Sequence, residues 1–134
     1  MQKKLFIITG ESSGDKIASY IINHIKKKNS NIEFLAIGGE NIKSQGVNCI
    51  FDIKDIAFMG FVDVLKNIFF IKKKFDFTVK KILEFKPDII FSIDSHDFSF
   101  RVLKIIKNTN SNIKTIHLDA HQVWEWRENR KNFL

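Results

Sequence analysis

The chain has 134 residues, 44% of them apolar, with 22 Lys and Arg against 15 Asp and Glu. That length suits one domain with a real core, and the composition excludes a disordered chain. The net charge of +7 favours anionic partners: nucleic acid, phosphorylated sugars or an acidic membrane leaflet.

The opening stretch, MQKKLFIITG, sets lysines before an apolar run. Leu5 to Ile8 is too short for a signal peptide, and Gly10-Glu11 ends it. Leu5 to Thr9 is instead a predicted buried strand. Gly10 to Gly14 is a predicted loop. From Asp15 the period changes: Ile17, Ala18, Ile21, Ile22 and Ile25 fall at helical spacing, and Lys26 to Lys28 suit the negative end of the helix dipole. Asn29 to Asn31 is the stop. Ile32 to Ile37 is a second strand, ended by Gly38-Gly39. A short helix follows over Asn41 to Gln45, with Gly46 as its stop, and Cys49 to Phe51 is a short third strand.

Ile56 to Phe85 is mostly helical with breaks and carries much of the surplus of Phe, 14 in all. Pro87 closes that region and pushes Lys86 out of helical geometry. Asp88 to Ile93 is a strand, Phe98 to Lys107 an amphipathic helix, and Ile113 to Leu118 a further strand. Val123 onward has the pattern of a helix start. Strands alternating with helices predict an α/β fold, a Rossmann-like parallel sheet with helices on both faces, as one domain over residues 1–134. Cys49 is the sole cysteine, so no internal disulfide forms, which fits a reducing compartment. No apolar stretch approaches the ~20 residues of a bilayer span. The expectation is a cytoplasmic protein.

Sites in such sheets sit at the C-terminal ends of the strands. Three polar loops fall there: Gly10 to Gly14, Asp94 to Asp97 and Asp119 to Gln122. In GESSGD, small residues let backbone amides approach a ligand, and the helix start attracts negative charge. It is neither a dinucleotide fingerprint nor a P-loop. The bland alternative is a tight turn whose Ser12 or Ser13 caps the helix.

Asp94 can take a proton from a hydroxyl if burial keeps its pKa suitable, whereas Asp97 also reads as a helix cap. His96, His117 and His121 lack metal-ligand spacing, so no metal is expected. In the middle segment, Val62, Leu65 and Phe69 suit a core. Phe70 and Ile71 widen the apolar surface, and Lys72 to Lys74 suit anionic head groups. The alternative there is a helix buried on two sides. Trp124, Trp126, Arg127 and Arg130 can stack on a ring, hold a phosphate or anchor a domain interface.

Taken together, these motifs resemble the lipid-A-disaccharide synthase family, glycosyltransferases of outer-membrane lipid assembly. The family's GExSGD is matched by Gly10 to Asp15, and its GIGG by Ala36-Ile37-Gly38-Gly39. MGxxEVL is matched by Met59 to Leu65, and PDxxxxIDxPDFNxR by Pro87-Asp88 and Ile93 to Arg101. HYVSPSVWAWRxxR is matched by His117 to Arg130. They keep the family's order from about residue 4 to residue 130.

The resemblance implies the N-terminal, acceptor-side half of a GT-B glycosyltransferase, without the C-terminal nucleotide-sugar domain. It implies transfer from UDP-2,3-diacylglucosamine to 2,3-diacylglucosamine 1-phosphate in lipid A biosynthesis, with a β-1,6 linkage and release of UDP. Asp94 would be the general base, and no cofactor is needed. Substrate-binding roles fall on Gly10, Glu11, Ser12, Ser13, Gly14, Asp97, Arg101, Trp124 and Arg127. Membrane or acyl contact falls on Phe61, Phe69, Phe70, Lys72, Lys73 and Lys74, with the protein peripheral on the inner membrane.

The chain departs from the pattern at His96 and His121, which replace prolines, and at Asp119 and Gln122. The isolated chain is expected to have little or no transferase activity, and a separate C-terminal half is an expected partner. The alternatives are a glycolipid- or membrane-binding module without chemistry, and a nucleic-acid binder. The second is disfavoured because the lysines scatter over helix ends and no nucleic-acid module is visible.

Overall fold

In a computed structural model of the chain, residues 2–55, 68–93, 96–109 and 112–118 are described. The elements, in order, are β1 (Lys3–Thr9), α1 (Ser12–Lys28), β2 (Ile32–Gly38), α2 (Glu40–Ser44), β3 (Asn48–Asp52), α3 (Ile68–Phe85), β4 (Ile89–Ile93), α4 (His96–Thr109) and β5 (Lys114–Leu118). The five strands form one sheet in the order β3-β2-β1-β4-β5, and every pairing is parallel. The α/β, Rossmann-like reading is therefore correct.

β1 lies at the centre because both its faces are apolar. Side chains alternate across a strand. Phe6 and Ile8 join Ile37, Ile82, Ile90, Val102 and Ile106 in the core under α3 and α4. Ile7 joins Ala18, Ile22, Ala36, Ile42, Val47 and Ile93 in the core under α1 and α2. Burying each of the Val, Ile and Phe side chains contributes about 1.5–3 kcal/mol. Much of the phenylalanine surplus goes to the α3/α4 side. Phe98 meets Phe51 at 6.4 Å and Phe75 at 6.2 Å, both edge to face, a favoured aromatic geometry.

Several boundaries differ from expectation. α1 starts at Ser12, not Asp15, so the first loop shrinks to Gly10 and Glu11. Asp88 lies just before β4. Its carboxylate accepts the Lys4 N–H at 2.8 Å, its own N–H donates to the Lys4 carbonyl at 2.9 Å, and its carbonyl accepts from Lys114 at 3.2 Å. That residue thus ties the starts of β1, β4 and β5 together.

Lys86 leaves helical geometry as expected, but into the left-handed region, at φ 54°. Its N–H donates to the Ile82 carbonyl at 3.0 Å, the bond of a left-handed helix cap followed by proline. Within the expected helical region 56–85, α3 is continuous from Ile68. Residues 56–67 and the stretch from Val123 onward lie outside the described residues.

Candidate functional site

The strand order reverses between β1 and β4, since β2 lies on one side of β1 and β4 on the other. In open parallel sheets the ligand crevice opens at such a point, beyond the strand C-termini. The registers end together there, with Thr9 opposite Ile93. The next residues in sequence are Gly10 and Asp94, which begin two of the expected site loops.

Of these loops, the first is described in detail. Glu11 holds the cap position of α1 in extended backbone (φ −138°, ψ 159°), without a side-chain capping bond. Ser12 and Ser13 lie inside the helix, so neither is its cap. Both are exposed, as is Glu11, while Gly10 and Gly14 are buried. The start of α1 thus meets the crevice end with no carboxylate capping it, an arrangement that favours an anion.

Behind this loop stands Asp15, only 2% exposed. One carboxylate oxygen accepts the N–H of Gly39 at 2.7 Å and of Ile42 at 3.1 Å. The other accepts the N–H and the side-chain amide of Asn41, both at 3.0 Å. Asp15 therefore satisfies the orphan donors at the start of α2 from a different helix. The glycine pair leaves room for this. A Cβ on Gly39 would stand 2.8 Å from Asp15 Oδ2, and one on Gly38 would stand 2.5 Å from Ile42 Cδ1. Thr9, fully buried, donates its hydroxyl to the Ile37 carbonyl at 2.8 Å, joining the ends of β1 and β2.

The sequence reading passed over Asp15 as a site residue. The signal was present: Asp15, Ala18 and Ile22 share one buried helix stripe, and a carboxylate on such a stripe requires partners.

At the end of β3, Lys43 and Asp52 pair at 2.7 Å. The hydrogen bond from Lys43 holds the Asp52 carboxyl below its ordinary range, and the same bond raises Lys43. Burial pushes the nearby Cys49 thiol up.

α3 runs back against the strands, so its start shares the crevice end. Phe69 is 78% exposed and Phe70 41%, and Lys72 and Lys73 are exposed. Lys74 turns inward, at 3.3 Å from Asp55 and over the rings of Phe51 and Phe70 at 4.6 and 5.6 Å. Two open grooves of about 460 and 440 Å3 flank α3 lower down. Neither is lined by Ile93 or the first loop, so neither belongs to the crevice.

α4 is described from His96, and Asp97 lies within its described residues. Arg101 is exposed on the same helix. The Asp97 side chain, Asp94, Phe61, Trp124 and Arg127 lie outside the described residues. His117, on β5, has Nδ1 at 3.1 Å from Ser92 Oγ and stacks obliquely on Phe100 at 4.9 Å. That is a polar contact between neighbouring strands.

Known proteins match almost the whole of this chain. A family model described as lipid-A-disaccharide synthetase matches residues 5–134. The lipid-A-disaccharide synthase of Ruegeria pomeroyi is 34% identical over 127 residues, covering 95% of this chain and 31% of that protein. The enzymes of the same name from Rickettsia typhi and Rickettsia bellii are each 38% identical over 129 residues, covering 96% of this chain and 34% of theirs. The chain spans about a third of the length of the curated relatives it matches. A match from β1 to the last residue, together with a doubly wound sheet, places the chain in the lipid-A-disaccharide synthase family.

Proposed function

We propose that the chain is the acceptor side of an inverting glycosyltransferase of the GT-B type. It would act on UDP-2,3-diacylglucosamine and 2,3-diacylglucosamine 1-phosphate. The acceptor 6-hydroxyl oxygen attacks the anomeric carbon of the donor. The bond to UDP breaks, UDP leaves with the electron pair, and Asp94 takes the hydroxyl proton. The observation that carries this reading is the register of β1 and β4. Thr9 and Ile93 are paired, so the GESSGD and IDSHDF segments leave neighbouring strand ends.

In this reading the amides of Ser12, Ser13 and Gly14 receive the acceptor phosphate, assisted by Arg101 and Arg127. Glu11 and Asp97 contact sugar hydroxyls, and Trp124 stacks on a ring. Phe61, Phe69 and Phe70, with Lys72 and Lys73, face the acyl chains and the anionic head groups of the inner membrane, where the protein is peripheral from the cytoplasmic side; Lys74, expected among them, is instead held inward by Asp55 and the Phe51 ring. The donor nucleotide belongs to a C-terminal domain, present in the same or a separate polypeptide. Positioning donor against acceptor supplies much of such a rate, so the isolated chain has little or no activity.

The test is disaccharide formation from both substrates, first with the purified chain and then with a C-terminal portion from a relative added. Activity is expected only in the mixture, and Asp94→Asn should lower it by roughly 100-fold or more, the range of general-base catalysis, while glycolipid binding persists. Asp94→Asn at full rate would overturn the general-base role. A second reading, a glycolipid- or membrane-binding module without chemistry, is favoured by the exposed Phe69 and Phe70. A folded chain that binds the acceptor yet gives no product in any mixture would select it.

A further inference from the structure

We propose that Asp15 is the positioning residue of the crevice, a brace that aims the first loop without touching substrate. This rests on the reading that the start of α1 receives the acceptor phosphate, and it names the residue that sets that start in place.

The geometry is a bridge between two loops. The backbone N–H of Asp15 donates to the Glu11 carbonyl at 3.0 Å and closes the first turn of α1. Its carboxylate accepts from Gly39, Asn41 and Ile42 at 2.7–3.1 Å. The orientation of Ser12, Ser13 and Gly14 is therefore set by a contact to the loop after β2. Hydrogen bonds from several N–H groups to one buried carboxylate are strong and directional.

Asparagine cannot take its place. It presents an NH2 where the carboxylate had an acceptor, so a donor would face a donor. Gly39 belongs to the same device, since any side chain there pushes Asp15 Oδ2 from its seat.

The experiment uses the chain labelled with 15N and titrates glucosamine 1-phosphate, which carries the acceptor's phosphate without its acyl chains. Amide resonances of Ser12, Ser13 and Gly14 are followed. Wild type should show saturable shifts there. Asp15→Asn should weaken the apparent affinity by roughly tenfold or more, and Gly39→Ala should do the same by displacing the same carboxylate. Ile22→Val serves as the control. It loosens the buried face of α1 away from the crevice, and affinity should stay near wild type despite a lower thermal midpoint.

Wild-type affinity in Asp15→Asn or Gly39→Ala would overturn the brace, as would equal weakening in Ile22→Val. If Asp15→Asn fails to fold, Gly39→Ala decides. A wild-type chain with no saturable shift removes the phosphate seat itself, and the brace with it.

Discussion

At the scale of single residues, Lys86 and the pair Lys43–Asp52 make opposite statements about strain and charge. Lys86 is the only described non-glycine residue with positive φ, a conformation that costs an L residue roughly 1–2 kcal/mol. Lys86→Gly should therefore stabilise the fold by about 1 kcal/mol after the extra entropy of an unfolded glycine is subtracted. Thermal unfolding of the two proteins checks this. A neutral or destabilising result would mean that the lysine stem contributes packing that offsets the strain.

The Lys43–Asp52 pair acts through pH. The folded Asp52 value is depressed below its ordinary 3.8, so its contribution is present above that value and is lost as pH falls through the folded one. The folded Lys43 value is raised, so its contribution is lost only as pH rises through that value. Lys43→Met should be slightly less stable than wild type near neutral pH. The gap should close below about pH 4 and also in high salt, since Lys43 is exposed and the half-buried Asp52 still reaches solvent, so the pair is screened. Thermal midpoints measured across pH in the two proteins give the answer, and a gap that widens in acid would refute the assignment.

At the scale of elements, α3 carries the clearest prediction. Its first turns expose Phe69 and Phe70 beside Lys72 and Lys73, at the crevice end of the sheet. Replacing both phenylalanines by serine should lower partitioning onto anionic phospholipid vesicles by roughly tenfold or more, from the apolar area withdrawn. Sedimentation with vesicles measures it, and unchanged binding would remove α3 from the membrane contact.

The same helix shows what the sequence discloses and what it withholds. Apolar runs and periodicity identified the longer strands and helices, because burial on one or both faces is written directly into residue spacing, whereas α2, with Ile42 as its one buried residue, was read from the Gly46 stop. It misjudged the start of α1 because helical spacing is first visible at Ile17, whereas the helix opens with Ser12, Ser13 and Gly14, which carry no apolar signal. Lys72 to Lys74 were alike as letters. Only packing against Phe51 and the partner Asp55 separates Lys74 from its neighbours. The buried stripe marked Asp15 as needing partners, but which residues supply them was hidden for the same reason, since they lie 24 to 27 residues ahead. The catalytic reading of Asp94 came from family resemblance, not from spacing.

At the scale of the molecule, the basic charge has a local explanation in part. Lys26 to Lys28 close α1 and Lys107 lies in the last turn of α4, where cations offset the helix dipole. The strand order has a consequence in time. β1 is paired with β2 almost as soon as both are made, but its other neighbour is β4, and the bond between Lys4 and Asp88 spans 84 residues. At ribosomal speeds that is on the order of ten seconds of synthesis. Throughout that interval the central strand of the sheet is held with one hydrogen-bonding edge bare. The nascent chain is then open both to capture by chaperones and to edge-to-edge aggregation, until residue 93 emerges and β4 seals the centre of the sheet.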